Sequence, residues 1–386
     1  MSDEHTKRVE RYSATRNAGK QGILSNVLAP SKHNHIITCS DNDYLNLVNN
    51  KEVIVKQMED LLNNFARRNN SKASVFLAQN DVQTTLEKDV GAWFEKECYF
   101  AKSGYAANVG VIHAVCSPGM HVYIDQLLPA SFYYDLAARR VVIHVFNANN
   151  VADCEAQIKK HGPGMIIIES IYSTSGSFAP LEDFVRLKKA TGCVLFVDES
   201  HSLGLFGAEG RGLVHTKGLV NDVDYITASL AKAFATRAGI VFTDNATYVK
   251  ENSYPFIFSS GLVRNNFVRI RAVWEVIKRA DDRAAQLQNI STFFRGELNK
   301  VPRVVGGNKN APSAIISLAM KGEGQSTSLH QFLSTNDVLA TPFVAPATTL
   351  TMPILRFTVH VDLTAKEASM VADEVAEWYV RRAAKI

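Results

Sequence analysis

Val194-Leu195-Phe196-Val197-Asp198-Glu199-Ser200-His201 opens a stretch that closes with Thr227-Ala228-Ser229-Leu230-Ala231-Lys232. A short, continuously apolar run behind a helix-period segment predicts a parallel strand buried on both faces. Asp198 then stands at the carboxyl end of that strand. In open α/β sheets this is the edge where ligands bind, so an acid, a histidine and a lysine delivered there form a candidate site. Spacing alone also allows a blander origin. An acidic string can simply end a strand, and a lysine beside an alanine-rich segment is commonly a solvated side chain.

Outward from this stretch, apolar or β-rich runs recur at 97–103, 121–125, 141–146, 165–169, 194–197, 225–229 and 239–243, separated mostly by helix-like segments. Such alternation predicts a mainly parallel, seven-stranded sheet with helices on both faces. Strand 165–169, turn 173–179, helix 181–190 and the terminator Gly192 lead into the Asp198 strand as one crossover unit, expected to be right-handed. Upstream, residues to about 32 read as a polar arm, and 53–65 and 83–94 have helical spacing. Downstream, a long helical stretch over 265–298 is followed by strands near 313–319, 338–342 and 354–359 and a terminal amphipathic helix over 365–384. The expected organisation is an N-terminal segment (1–82), a large domain (83–264), and a linker helix with a smaller α+β domain (265–386).

Composition narrows the function classes. The 386 residues are 46% hydrophobic and 21% charged, enough for a large core without staples. A net charge of +4 is too mild and too evenly spread to argue for nucleic acid. Five cysteines without a CxxC pair indicate neither a zinc site nor a disulfide framework, and no metal is expected. With no run of membrane-spanning length and no apolar segment in the polar start, the expected location is cytoplasmic.

An aspartate, a histidine and a lysine at one sheet edge are what pyridoxal 5'-phosphate requires: a lysine to attach the aldehyde, an acid for the ring nitrogen, and hydrogen-bonding groups around the ring. Val197 to Gly204, then Gly207, Gly210 and Gly212-Leu213, then Thr227 to Lys232 with Arg237-Ala238-Gly239, resemble the aspartate and lysine signatures of the α-oxoamine synthases. These are fold-type I pyridoxal phosphate enzymes that condense an amino acid with an acyl-CoA. The resemblance covers nearly all the chain beyond residue 38.

It implies roles residue by residue. Asp198 pairs with the ring nitrogen and His201 with the ring's phenolic oxygen, while Lys232 attaches the cofactor and then works as the base at the substrate Cα. Ser103, Gly104 and Tyr105, from Ser103-Gly104-Tyr105-Ala106-Ala107-Asn108, hold the cofactor phosphate, joined by Ser229 and Thr227. Ser173, in Glu169-Ser170-Ile171-Tyr172-Ser173, lies on a loop beside the ring. Ser259 and Ser260 of Phe256-Ile257-Phe258-Ser259-Ser260 reach the neighbouring subunit's phosphate, which implies a homodimer with a shared site. Asn42, in Ser40-Asp41-Asn42-Asp43-Tyr44-Leu45, lies near the substrate, and Arg356 in Leu355-Arg356-Phe357-Thr358 clamps its carboxylate, a task suited to a planar fork of donors.

One position departs from the family. A histidine over the ring is expected in a DxxxHxS setting, where Asp125-Gln126-Leu127-Leu128-Pro129-Ala130-Ser131 supplies Pro129. Proline offers neither π stacking nor a proton; Phe132, Tyr133 or Tyr134 are the nearby candidates for the stack. Motifs between 80 and 239, including His161-Gly162-Pro163-Gly164 and Phe234-Ala235, are most similar to the bacterial quorum-sensing autoinducer synthases. The function so implied is condensation of a small amino acid with a medium- or long-chain acyl-CoA, with decarboxylation, to an α-aminoketone. Two other readings remain open here: an aminotransferase or lyase on the same cofactor, and a catalytically degenerate partner subunit.

Overall fold

The computed structural model describes residues 36–64, 73, 81–301, 313–344, 348 and 353–383, with positions 4, 6–8 and 10 near the start. The polar arm expected before residue 32 falls almost wholly outside the described residues. In chain order the strands are β1 (Ile37–Thr38), β2 (Cys98–Ala101), β3 (His121–Asp125), β4 (Val142–Phe146), β5 (Met165–Glu169), β6 (Val194–Asp198), β7 (Tyr225–Ser229), β8 (Gly239–Phe242), β9 (Ile315–Ala319), β10 (Val338–Leu339), β11 (Thr341–Phe343) and β12 (Ile354–Thr358). Strands β2 to β8 make a seven-stranded sheet in the order β2-β8-β7-β6-β5-β3-β4. Only β8 runs antiparallel to its neighbours, so the expected mainly parallel α/β sheet is present.

The central strands are apolar because helices cover both faces. Ile166, Ile168, Leu195 and Val197 face one buried cluster and Ile167 and Phe196 the other. Alternation along each strand then aims the last residues by parity. Parallel pairing sets Glu169 beside Asp198 and Asp198 beside Thr227, one polar row across three strands at their carboxyl ends.

The second, three-stranded sheet has the order β11-β12-β9 and is antiparallel. Here two expectations are corrected. The 338–342 strand is two pieces: β10 leaves to pair with β1, and β11 carries Pro342 at a sheet edge, where a residue without an N–H is tolerated. The long helix is also two, Arg264–Ile277 and Asp281–Lys300. Asp281 and Asp282 suit a new helix N-terminus, where the dipole favours negative charge, better than a helix interior. The N-terminal segment packs onto this sheet. Thr358 N–H donates to Cys39 O and Val361 N–H to Tyr44 O, so it is stitched along the small sheet and carries residues 42–44 inward.

The edge strand β2 shows how a buried acid serves the fold. Glu87, on helix Val82–Phe94, is only 6% exposed and accepts from Phe100 N (3.0 Å), Gln83 Nε2 (2.7 Å) and Lys250 Nζ (2.9 Å). It satisfies an edge N–H that has no strand beyond it. Glu87→Ala strips that partner and should lower stability by about 1–3 kcal/mol in urea unfolding, with Glu87→Gln losing less because it keeps an acceptor.

Candidate active site

Asp198 is buried at the end of β6. Its Oδ1 accepts from Ser200 N (2.7 Å) and its Oδ2 from Asn108 Nδ2 (2.8 Å), and Asn108 Oδ1 in turn accepts from the Thr227 hydroxyl. Burial raises the Asp198 carboxyl above its ordinary range, opposed by these donors and by Lys232. A buried carboxylate held by two donors is suited to pairing with a protonated ring nitrogen.

His201 follows on the same turn and shares a 2.7 Å hydrogen bond between its Nδ1 and the Tyr44 hydroxyl. Burial first, then the positive charges of Lys232 and Arg356, hold its pKa well below the usual histidine value. It is therefore a neutral imidazole at physiological pH.

Lys232 is presented by a tight turn after β7, closed by Leu230 N to Ala238 O, Thr236 N to Leu230 O and Ala235 N to Lys232 O. Among the described residues no carboxylate forms an ion pair with its ammonium. Burial and then Arg356 bring its pKa down from 10.5 to about 8, against the opposing pull of Asp198 and Glu169. An amine with that value supplies a useful neutral fraction near neutral pH.

The helix Gly104–Val115 begins at the carboxyl edge of the sheet. Ser103 caps it, its Oγ accepting from Ala106 N at 3.1 Å, while Ala107 N donates to Ser103 O. The amides of Gly104 and Tyr105 are left at the positive end of the helix, a ready anion site. Glycine is required at 104: a Cβ there would lie 2.5 Å from Ser229 Cβ. Ser103, Gly104 and Ser229 thus converge.

Arg356, on β12 of the small sheet, is 5% exposed and lies 4.3 Å over the Phe343 ring. Its Nη1 donates to Ser173 O (3.0 Å) and its Nη2 to Asn42 Oδ1 (3.4 Å), while its Nε is buried without a partner. Burial lowers its pKa, yet a guanidinium keeps its charge.

Other sequence-derived candidates stand elsewhere. Tyr105 is 55% exposed and its hydroxyl donates to Asp135 Oδ1 at 3.1 Å, so its ring faces outward rather than toward Asp198. Ser259 and Ser260 line a shallow cleft with Lys102 and Ala106, outside the Asp198–Lys232 group. Pro129 precedes helix Ala130–Ala138 and caps it with no side-chain hydrogen bond. Of its aromatic neighbours, Phe132 is buried in the core with its ring 6.1 Å from Phe196, Tyr133 packs on the same cluster, and Tyr134 is 67% exposed. Core packing occupies Phe132, and Tyr134 faces solvent.

The family model for aminotransferase class I and II matches residues 34–375. The chain belongs to the aminotransferase class I and II family. It is 32% identical over 356 residues to the CAI-1 autoinducer synthase of Vibrio campbellii, covering 92% of this chain and 89% of that protein. It is 26% identical over 352 residues to the 8-amino-7-oxononanoate synthase of Haemophilus ducreyi, covering 87% and 90%. The serine palmitoyltransferase structure from S. paucimobilis superposes with a TM-score of 0.83 over 91% of this chain and 89% of that one; at 22% identity the likeness concerns the fold.

The chain is thus a fold-type I, pyridoxal-phosphate-dependent enzyme of the α-oxoamine synthase kind, an acyltransferase. The residues present fit the cofactor: a cradle at Gly104 that a Cβ would fill, an acid at Asp198 with its other partners in place, and an amine at Lys232 with a lowered pKa. Among the described residues no cluster suited to a metal ion occurs, and all five cysteines are buried thiols.

Three residues of the site were not singled out from sequence: Tyr44, Asn108 and Glu169. Tyr44 and Asn108 lie inside motifs quoted for other members. Glu169 ends an apolar strand just as Asp198 does, so the same edge rule could have found it.

Borohydride reduction of protein loaded with pyridoxal phosphate should fix the label on the Lys232 peptide, and Lys232→Ala should abolish it. Because only the neutral amine attacks the aldehyde, the attachment rate should climb as pH rises toward about 8 and level above it. A rate still climbing steeply toward pH 10 would show an ordinary lysine instead.

Proposed function

We propose that this enzyme condenses a small amino acid with a medium- or long-chain acyl-CoA, with loss of carbon dioxide, to give an α-aminoketone that serves as a signal precursor. The observation that carries the reading is Arg356. It is a buried guanidinium with an unpartnered Nε, in the same group of interacting charges as Lys232, Tyr44 and Glu169. A charged donor left without a buried partner is costly, and a substrate carboxylate would supply one. The likeness to a CAI-1 autoinducer synthase along 92% of the chain supports the product class.

Pyridoxal phosphate, when bound, would supply an electron sink that makes the substrate Cα acidic and eases decarboxylation. The protein's residues do the rest. Asp198 keeps the ring nitrogen protonated, and Asn108, itself fixed by Thr227, holds Asp198 in place. Lys232 takes the proton from Cα, and neutral His201, oriented by Tyr44, hydrogen-bonds the ring's phenolic oxygen. Ser103, Gly104 and Ser229 hold the phosphate, with the Tyr105 amide rather than its ring. Arg356 and Asn42 orient the carboxylate.

The same reading makes the enzyme a homodimer. Tyr254 (54% exposed) and Phe258 (77%) lie on the surface just before Ser259 and Ser260, and Met58, Leu61 and Leu62 of helix Lys51–Asn63 are 57–76% exposed. Apolar side chains of this size facing water support an interface, with the two serines turned to the partner's site. Among the described residues no helix is long and apolar enough to cross a membrane.

The deciding experiment follows release of free CoA thiol while amino acids and acyl-CoAs are varied. Thiol release that requires both substrates, with Arg356→Lys raising KM for the amino acid roughly tenfold or more at a smaller change in kcat, is the expected result. Amino-group transfer without thiol release would favour an aminotransferase. Turnover only after mixing with a second, different chain would favour the partner-subunit reading.

A further inference from the structure

Glu169 has no part in the chemistry above, yet it is buried at the end of β5, directly beside Asp198 in the sheet register. Its Oε2 accepts from both Ser173 N (3.0 Å) and Ser173 Oγ (3.1 Å). The loop so gripped turns its carbonyls the other way, toward the small sheet. Ser173 O accepts from Arg356 Nη1, Thr174 O from the Ser317 hydroxyl, and Gly176 O from Ser313 Oγ at 2.7 Å. Ser313 O and Ile315 O are held in turn by Arg295 Nη2, each at 3.0 Å. The fit is close. Gly176 has φ +70°, and a Cβ there would lie 2.3 Å from Ile315 O.

We propose that Glu169 is a positioning residue for the carboxylate clamp: by gripping Ser173 it fixes the 173–176 loop against the small sheet and so holds Arg356 toward the Asp198–Lys232 group. The inference rests on the reading of Arg356 as that clamp. Burial, then the adjacent Asp198, raises the Glu169 pKa to about 8, opposed by Ser173 and Lys232. The group therefore carries a proton at neutral pH and leaves the guanidinium's charge available to the substrate. A hydrogen-bond chain of this kind acts by geometry: a guanidinium displaced by a fraction of an ångström loses its bidentate fit.

The test uses pyridoxal-phosphate-loaded protein titrated at pH 7 with L-alanine and, separately, with ethylamine, which lacks the carboxylate, following visible absorption. The ratio of the two dissociation constants measures recognition of the carboxylate alone. Glu169→Ala should reduce the preference for alanine roughly tenfold, with ethylamine binding changed by less than about twofold. Glu169→Gln, a close stand-in for the protonated acid, should restore most of it. Ser173→Ala, which keeps the backbone N–H, should give an intermediate loss and decides the matter if Glu169→Ala does not fold.

A preference unchanged in both Glu169→Ala and Ser173→Ala, or an equal weakening of both ligands, would overturn the inference. So would a Glu169→Gln variant as impaired as Glu169→Ala. Arg356→Ala separates the two levels. If it removes the preference while the Glu169 variants do not, only the positioning role falls; if it leaves the preference intact, the clamp itself fails and the proposed function loses its main support.

Discussion

The structure depends on the cost of holding charge at the carboxyl edge of a sheet that is apolar on both faces. The register of β5, β6 and β7 lines up Glu169, Asp198 and Thr227 where water is excluded. A carboxylate there is stable only with donors in place, and an amine or imidazole there is pushed toward its neutral form. The surroundings meet each demand separately. Asp198 receives Asn108 and Ser200, Glu169 receives Ser173, His201 is left neutral, and Lys232 is lowered to about 8. One feature, desolvation, thereby sets an acid, a neutral imidazole and a reactive amine at one sheet edge.

The acid next to Asp198 in sequence shows how much placement matters. Glu199, the first residue after β6, is as deeply buried but is bonded to a different set of groups. Its Oε1 accepts from Ser202 Oγ and from the backbone N–H groups of Leu213 and Val214. It organises the glycine-containing loop behind the site, and its carboxyl is raised to about 7 by burial. Adjacent carboxylates thus have different surroundings: Asp198 ends the strand among Asn108 and Ser200, and Glu199, the first residue beyond it, is taken up by the loop amides.

The small sheet completes the site from a distance. Arg356 comes from β12, and Asn42 and Tyr44 from the N-terminal segment pinned along that sheet. The small sheet meets the large one at the 173–176 loop, and the N-terminal segment meets it at His201 through Tyr44. Pro129 stands where the resemblance to the α-oxoamine synthases leads one to expect a histidine. The imidazole expected there is missing, and Phe132, the nearest buried aromatic in sequence, packs into the core.

The approximate positions of the seven large-sheet strands, the helix terminator at Gly192, and the delivery of Asp198, His201 and Lys232 to one edge were legible in the sequence, whereas the order of the strands in the sheet and the capping role of Ser103 came from the structure. Each of the former rests on local information: apolar runs of strand length, turn residues at their ends, and the rule that parallel strands present their carboxyl ends together. The break between Ile277 and Asp281, the division of 338–342 into two strands, and the outward orientation of the Tyr105 ring were decided only by tertiary structure. So were the partners of Arg356 and the Tyr44–His201 hydrogen bond, which joins residues 157 apart in the chain. The physical reason is that propensity and periodicity act between neighbours along the chain. Partners for buried polar groups are chosen by what the fold brings within about 3 Å, and no spacing in the sequence encodes that distance.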